Sequence, residues 1–283
     1  MNWLFTIPKG FSLEGLLRRS HSFLLPPFAV AETSTTLLLL RTERLVSGKV
    51  IAMTLNQISS GIHLGVDERL TGAEVEEISR KTWRMLRMGE NLRAFVDKGA
   101  ADPELCRYTR QGVRFLRGTS LFEDLVKALL LAHNGADART LIAQLVDQLG
   151  TPYPKNPTRH AFPSAEQILN QTPAVQRILG LTLGGYLLAA AEMDVEAALT
   201  KRTDPAALEA LPGMDECALA LVMLARGQYN YIPATRCASL LNGCEQRTGD
   251  EDPAPDAQQA SLATWQPWGG LVFWLRICES RTA

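Results

Sequence analysis

The sequence lacks an excess of charge of either sign. Its 283 residues include 29 Lys and Arg against 30 Asp and Glu, for a formal net charge of −1. This balance excludes a uniformly basic surface for nucleic acid, so any basic site must be local. Residues 1–150 hold 19 basic and 16 acidic residues, whereas residues 151–283 hold 10 and 14. The C-terminal half is therefore the less suited of the two to a polyanion.

Signatures of several enzyme classes are also missing. The chain has no Gly-x-x-x-x-Gly-Lys phosphate loop and no His-Glu-x-x-His zinc motif. Its five cysteines are odd in number and scattered, which predicts reduced thiols in a cytoplasmic protein. The sequence does not open like a signal peptide, and its longest apolar run, 179–191, is too short to span a bilayer. We expect a cytoplasmic localisation, no cofactor or metal, and no membrane partner.

Two hydropathy patterns meet near residue 70. Before it, short apolar runs between turn residues predict an antiparallel sheet, preceded by a helix at 13–20. The predicted strands lie at 36–41, 46–54 and 61–66. After it the pattern is helical, and Thr71 and Glu74 have the spacing of a capping box. Later helices are predicted near 90–98, from 102 onward, at 121–130, at 138–149, from 164, at 179–193 and at 265–275. The predicted fold is α+β and mostly α, with a sheet domain at 1–70 and a helical body at 71–283.

The helix predicted from Asp102 onward has four arginines at spacings of three, four and three. They are Arg107, Arg110, Arg114 and Arg117. At these spacings all four share one helical face. Two interpretations remain open: an ordinary solvated face, or a row of contacts to DNA phosphates.

The most informative stretch is 208–236. A short helix to Ala210 breaks at Pro212-Gly213, where a tight turn is expected, and a second helix follows at about 216–225. Gly227 suits the end of that helix, and Thr235 the N-cap of a third. The predicted hairpin therefore occupies 208–226.

This stretch resembles the helix-hairpin-helix and following loop of the DNA glycosylase superfamily. Leu211-Pro212-Gly213-Met214-Asp215 matches a Leu-Pro-Gly-(Val/Ile)-Gly hairpin whose amides contact a DNA phosphate, and Pro233-Ala234-Thr235 matches a Pro-(Val/Asp)-Asp segment. Other segments, among them 121–127 and 162–164, are similar to bacterial glycosylases of the 3-methyladenine or 8-oxoguanine type. The resemblance implies a two-part helical body, double-stranded DNA as a partner, and a base flipped into a pocket.

The chain departs from this family at five positions. The hairpin's second glycine is Asp215, the slot of the lysine nucleophile is Cys217, and the slot of the essential aspartate is Thr235. Leu183 and Gly269 stand where arginines are expected. Threonine cannot stabilise an oxocarbenium-like transition state or deprotonate water at neutral pH. Cys237 and Cys244 have the first spacing of the iron–sulfur motif of some relatives, but the other ligands are missing.

Three functions remain open after these substitutions. The first is a glycosylase-fold protein that no longer excises bases and acts by binding DNA or an unknown protein partner. The second is an active monofunctional glycosylase with a relocated carboxylate, for which Asp137 and Asp215 are the candidates. Both have simpler explanations, since Asp137 suits the first turn of a helix and Asp215 a turn. The third is a helical scaffold with no DNA role.

Overall fold

The computed structural model describes residues 1–8, 10–33, 36–103, 105–193, 206–234, 237 and 260–279. The chain packs as two compact units. The first comprises Met1–Thr119 and Ile142–Ala174, and the second comprises Ser120–Leu141 and Val175–Ala283. The boundary predicted at residue 70 falls within the first unit, because helical residues beyond it pack on the sheet.

The fold is mostly α-helical, with strands concentrated near the N-terminus. The strands are β1 (Asn2–Phe5), β2 (Phe28–Glu32), β3 (Leu37–Arg44), β4 (Val50–Ile58), β5 (Gly61–Val66), β6 (Pro152–Tyr153) and β7 (Asn156–His160). The described helices are α1 (Leu13–Arg19), α2 (Gly72–Met85), α3 (Arg93–Ala100), α4 (Cys106–Gln111), α5 (Leu121–Asn134), α6 (Ala138–Leu149), α7 (Ala165–Asn170), α8 (Thr172–Glu192), α9 (Ala206–Glu209), α10 (Glu216–Arg226) and α11 (Gly269–Glu279). The predicted α+β, mostly α class is confirmed.

The first unit is built on a five-stranded antiparallel sheet in the order β1-β5-β4-β3-β2. Ile51, Met53 and Leu55 alternate along β4 and are fully buried, as the two-residue period of a strand requires. The sheet predicted within residues 1–70 is confirmed. Its two edge strands, β1 and β2, were missed because they are short and flank the stronger apolar runs.

Helix α2 begins where the sequence predicts and covers the sheet. Both halves of its capping box form, since Thr71 accepts from the Glu74 amide and Glu74 accepts from the Thr71 amide. Ile78 and Met85 of α2 are fully buried in the core that contains the sheet residues. The helix thus closes the apolar face of the sheet within the first unit.

Charged side chains are buried beside this core. Arg41 is 1% exposed and donates from Nε to Glu43 at 2.7 Å and from Nη2 to the Thr119 hydroxyl at 2.9 Å. Lys81 lies 2.8 Å from both Glu43 and Glu77. Burial opposes the charge on Lys81, but these two carboxylates outweigh it and raise the pKa of Lys81. The cluster is internally neutralised, as buried charges must be.

A small β-hairpin follows α6, in a stretch that contains Pro152, Pro154 and Pro157. Strands β6 and β7 pair antiparallel, and Tyr153 packs with Val50 and Ala161. The Tyr153 hydroxyl donates to Asp67, and Lys155 pairs with Glu68 at 2.6 Å. The prolines in this stretch favoured a loop, but β6 and β7 are short enough to accommodate them.

The second unit contains the longest apolar helices. Helix α5 begins at Leu121, as predicted, after the N-cap Ser120, and it continues to Asn134, four residues beyond the predicted end. Helix α8 is longer than predicted and is kinked at Gly180, whose φ is 75°. Leu181, directly after the kink, is 77% exposed. Among the described helices, only α8 is long and apolar enough to span a membrane. Core helices of soluble proteins also meet these two criteria.

Candidate nucleic-acid interface

The turn predicted at Pro212-Gly213 forms between α9 and α10. The Met214 amide donates to the Leu211 carbonyl at 3.0 Å, and Gly213 has a φ of 79°. Proline at the second position and a left-handed glycine at the third define a type II turn. We call residues Ala206–Arg226 the hairpin. The described part of its first helix, α9, has four residues and ends at Glu209, one residue before the predicted end at Ala210.

Two side chains from other helices of the second unit shape this turn. His133, near the end of α5, donates from Nε2 to the Gly213 carbonyl at 2.7 Å. Tyr186 of α8 lies against Gly213 so closely that a Cβ there would overlap its ring. The His133 and Tyr186 rings also contact each other, with centroids 5.4 Å apart. Sequence analysis missed both residues, since the contacts join positions far apart in the chain.

The start of α10 is occupied by carboxylates. Asp215 is the N-cap, and its side chain accepts from the Ala218 amide at 2.8 Å. Glu216 and Glu209 are exposed nearby. Tyr231 has a raised pKa because of burial and then because of the charges of these three carboxylates. Asp215, for which the sequence suggested a turn residue, therefore caps α10 directly after the turn, and this end of the hairpin is negatively charged.

The lysine slot does not hold a free thiol. Cys217, the second residue of α10, is bonded to Cys237, with Cα atoms 5.3 Å apart. The prediction of five reduced cysteines is therefore wrong, because tertiary packing brings together two cysteines 20 residues apart. While this bond is intact, Cys237 also offers no thiolate to an iron–sulfur cluster. Thr235 and Cys244 lie outside the described residues.

The loop from Gly227 to Ala234 is anchored at its start. Gly227 ends α10 in the predicted left-handed conformation. The Gly270 amide donates to the Tyr229 carbonyl at 2.8 Å, and a Cβ on Gly269 would lie 2.7 Å from Ile232. An arginine at the Gly269 slot would require this contact to open. The glycine pair therefore has a packing role that its sequence position did not reveal.

The predicted arginine face does not exist as one helical surface. Helix α4 ends at Gln111, and Gly112 follows with a φ of 91°, so Arg114 and Arg117 lie beyond it. Arg114 is 8% exposed and donates to the carbonyls of Arg87 and Glu90, and Arg117 donates to the Arg84 carbonyl at 2.7 Å. Arg107 is exposed on α4, whereas the Arg110 side chain lies outside the described part. The helical spacing therefore applies only as far as Gln111, because Gly112 ends the helix.

The remaining described candidates, Asp137 and Leu183, lie just after α5 and on α8. Asp137 is exposed in a single 3₁₀ turn between α5 and α6, one residue before the helix whose first turn it was predicted to join. Leu183 is half-buried on α8. The described part of the chain holds no group of three or more His, Cys, Asp or Glu suited to a metal.

This fold is the fold of DNA glycosylases. The chain is similar to the 3-methyladenine DNA-glycosylase of Archaeoglobus fulgidus, with a TM-score of 0.75 and 19% identity over 99% of both chains. MBOgg1 in complex with a low-affinity DNA ligand matches 90% of this chain and 98% of its own, with a TM-score of 0.60 and 13% identity. The Clostridium acetobutylicum 8-oxoguanine glycosylase/lyase, in complex with double-stranded DNA containing cytosine opposite 8-oxoG, matches 89% of this chain and 98% of its own, with a TM-score of 0.57 and 12% identity. No protein-family model and no curated protein sequence matches the chain.

Proposed function

We propose that the chain is a glycosylase-fold protein of the base-excision-repair type that binds duplex DNA in the cytoplasm through its hairpin and does not excise bases. The observation that carries this proposal is the state of Cys217 at the lysine slot. Its sulfur is bonded to Cys237, so the slot offers neither an amine nor a thiol to attack a sugar. Duplex DNA is the expected ligand, since solved structures with this fold contain DNA.

Hydrolytic excision also lacks its usual carboxylate. Thr235 replaces the aspartate whose charge would face the developing cation on the sugar. Loss of one such aimed group costs about 10²–10³ in rate. The fallback carboxylates give weak support to a relocated catalytic base, because Asp215 caps α10 and Asp137 is exposed. An active monofunctional glycosylase is therefore the less favoured alternative.

Binding through the hairpin is expected to be weak. The N-terminus of α10 carries a partial positive charge, which favours a phosphate. The carboxylates of Glu209, Asp215 and Glu216 oppose that phosphate. The N-terminus of α10 attracts a phosphate and the three carboxylates repel it. The affinity of the hairpin for DNA therefore depends on the balance between these two effects.

The binding proposal is tested by replacing Asp215 with glycine, which restores the residue of the family hairpin. Glycine is nearly as good an N-cap as aspartate, so α10 should persist. Removing one charge about 4 Å from a phosphate is worth roughly 1 kcal/mol in water, so affinity for an undamaged duplex should rise about fivefold at low salt. Fluorescence anisotropy measures the change.

A matched control separates local from global charge in this experiment. Asp97→Asn removes an exposed carboxylate of α3 in the first unit and should leave the affinity unchanged. A wild-type chain that does not bind duplex DNA at low salt would contradict the proposal and favour a protein-binding or scaffold role. Release of free base from alkylated or oxidised duplex would instead establish an active glycosylase.

A further inference from the structure

His133, in the last turn of α5, joins this helix to the hairpin turn. Its Nε2 atom lies 2.7 Å from the Gly213 carbonyl oxygen, and the Asp215 amide donates to the same oxygen at 2.9 Å. The ring also contacts Tyr186 of α8, with centroids 5.4 Å apart. His133 is nevertheless exposed. Its imidazole is therefore positioned by two contacts, is accessible to solvent, and lies beside the backbone that leads into α10.

The contact with Gly213 determines where the ring of His133 can accept a further proton. A carbonyl oxygen only accepts hydrogen bonds, so Nε2 must carry the hydrogen of this contact. Nδ1 is then bare in the neutral ring and carries a hydrogen in the protonated ring. Among the described residues, none makes a hydrogen bond to Nδ1. Protonation therefore keeps the bond to the hairpin and adds a positive charge and a second donor that points away from Gly213.

We propose that protonated His133 binds a phosphate of duplex DNA at the hairpin, so that DNA binding takes up a proton. The inference rests on the proposed function and names a further residue of the same site. Histidine is the side chain whose charge ordinarily changes between pH 5 and 8, so the cation forms in mildly acidic solution. The hairpin then gains a positive charge at a turn where its own sequence supplies carboxylates.

The groups that face His133 are mainly acidic. The turn after α5 contributes Asp137, and α8 contributes the phenol of Tyr186. The hairpin contributes three carboxylates, namely those of Glu209, Asp215 and Glu216. These carboxylates repel a phosphate at the hairpin, and the imidazolium of His133 offsets one of their charges.

The basic residues of the same helices lie farther along them. Arg226 is in the last turn of α10, whereas the hairpin turn precedes the first turn of this helix. Arg177 of α8 precedes the kink, more than two helical turns before Tyr186. The charged residues of α5 itself are buried and precede His133 by more than one turn; they are Glu123, Asp124 and Lys127. Within these described helices, His133 is therefore the basic side chain placed at the turn itself.

The pH dependence of DNA binding by the full chain tests the proposal. A unit charge about 4 Å from a phosphate in water should raise the affinity for an undamaged duplex about fivefold, or roughly 1 kcal/mol, between pH 8 and pH 5.5. Anisotropy of a rhodamine-labelled duplex measures this change. Because a further phosphate contact releases a further counterion, the slope of log affinity against log salt should be steeper at pH 5.5 by roughly 0.9.

Two substitutions separate the charge of His133 from its contact with the turn. His133→Gln can still donate to the Gly213 carbonyl but gains no proton, so its affinity should stay at the wild-type pH 8 value throughout. His133→Arg can donate to the same carbonyl and is always charged, so its affinity should stay at the wild-type pH 5.5 value. The control His21→Gln replaces an exposed histidine of the first unit and should keep the full pH dependence.

The outcomes separate the two proposals. Equal wild-type affinity at pH 8 and pH 5.5, full pH dependence in His133→Gln, or its loss in His21→Gln overturns the role of His133 and leaves the proposed function intact. Absence of wild-type binding at both pH values in low salt overturns the proposed function, and the role of His133 with it. If His133→Gln does not fold, nuclear magnetic resonance of the wild type decides: the midpoint of the His133 titration should rise when duplex is added, and an unchanged midpoint contradicts the proposal.

Discussion

Charge is used in opposite ways in the two units. In the first unit, Arg41 and Lys81 both pair with Glu43, and Arg114 donates to backbone carbonyls inside the protein. At the hairpin of the second unit, Asp215 and the glutamates beside it face solvent. Arg114 and Arg117, which look available for DNA in the sequence, thus bind backbone carbonyls within the fold, whereas the acidic residues at the expected phosphate site remain exposed.

The shape of each region has a different origin as well. The charged cluster of the first unit is held by ion pairs at 2.7–2.8 Å between long side chains. The hairpin turn is held by a left-handed glycine, an aromatic ring and one hydrogen bond from His133. Charged residues at the hairpin can therefore be replaced without loss of its shape. Such replacements would change the affinity for an anion and leave the fold intact.

The largest expected effect comes from breaking the buried charge cluster. Arg41→Met removes the partner that donates to Glu43 and Thr119 and leaves a buried carboxylate with less compensation. Loss of one partner of a buried ion pair costs about 3–5 kcal/mol, and we expect about 3 because Lys81 still pairs with Glu43. Urea denaturation measures the free energy of unfolding.

A surface pair supplies the control for Arg41. Arg18 of α1 pairs with Glu14, but its side chain is 71% exposed. Arg18→Met should change the free energy of unfolding by less than about 0.5 kcal/mol. Similar losses for Arg18→Met and Arg41→Met would show that the buried cluster is not a distinct source of stability.

The features that the sequence predicts are those that depend on local pattern, and the features that it does not predict depend on tertiary contacts. The sheet, the capping box at Thr71 and the turn at Pro212-Gly213 depend on local pattern, and each was found from that pattern alone. The inward direction of Arg114 depends on a helix that ends at Gly112, and the Cys217–Cys237 bond depends on a contact across 20 residues. A helical spacing pattern predicts neither feature, because it contains no information on where the helix ends or on which residues pack against it. The contact of His133 with Gly213, across 80 residues, was beyond any local signal.

A second prediction concerns how the hairpin turn is shaped. Gly213→Ala should lower the free energy of unfolding by about 2–3 kcal/mol, because the left-handed backbone disfavours alanine and the new Cβ overlaps Tyr186. Gly48 has a similar φ of 84° and open space around its Cβ position, so Gly48→Ala should cost only about 1 kcal/mol. Thermal or urea unfolding of the two variants gives the comparison.

A double variant checks that the ring of Tyr186 causes the excess loss. Adding Tyr186→Ala to Gly213→Ala removes the overlap, so the two substitutions should be less destabilising together than the sum of the single effects. Strict additivity would show that the turn is limited by its backbone alone and that Tyr186 does not shape it.

The smallest expected effect is a pH dependence in the first unit. Glu74 accepts from Lys49 at 2.8 Å, from the Thr71 amide at 2.8 Å and from the Ser47 hydroxyl at 2.7 Å, and these bonds lower the pKa of Glu74 to about 2. The unfolded chain therefore binds a proton at this carboxyl at a higher pH than the folded chain does. The stabilisation is fully present above the ordinary pKa of glutamate, near 4.5, and is lost as the pH falls toward 2.

Glu74→Gln should accordingly flatten the loss of stability over this acidic range. The glutamine keeps the size of the side chain but has no carboxyl to protonate, so unfolding free energies measured at several pH values should fall less steeply than in the wild type. Glu14→Gln provides the matched control, because Glu14 is an exposed carboxylate whose partner Arg18 is also exposed. If Glu74→Gln and the wild type lose stability in parallel between about pH 4.5 and 2, the charge of Glu74 does not contribute to stability. That result would weaken, at this position, the contrast between a unit that is stabilised by its charges and a hairpin that is not.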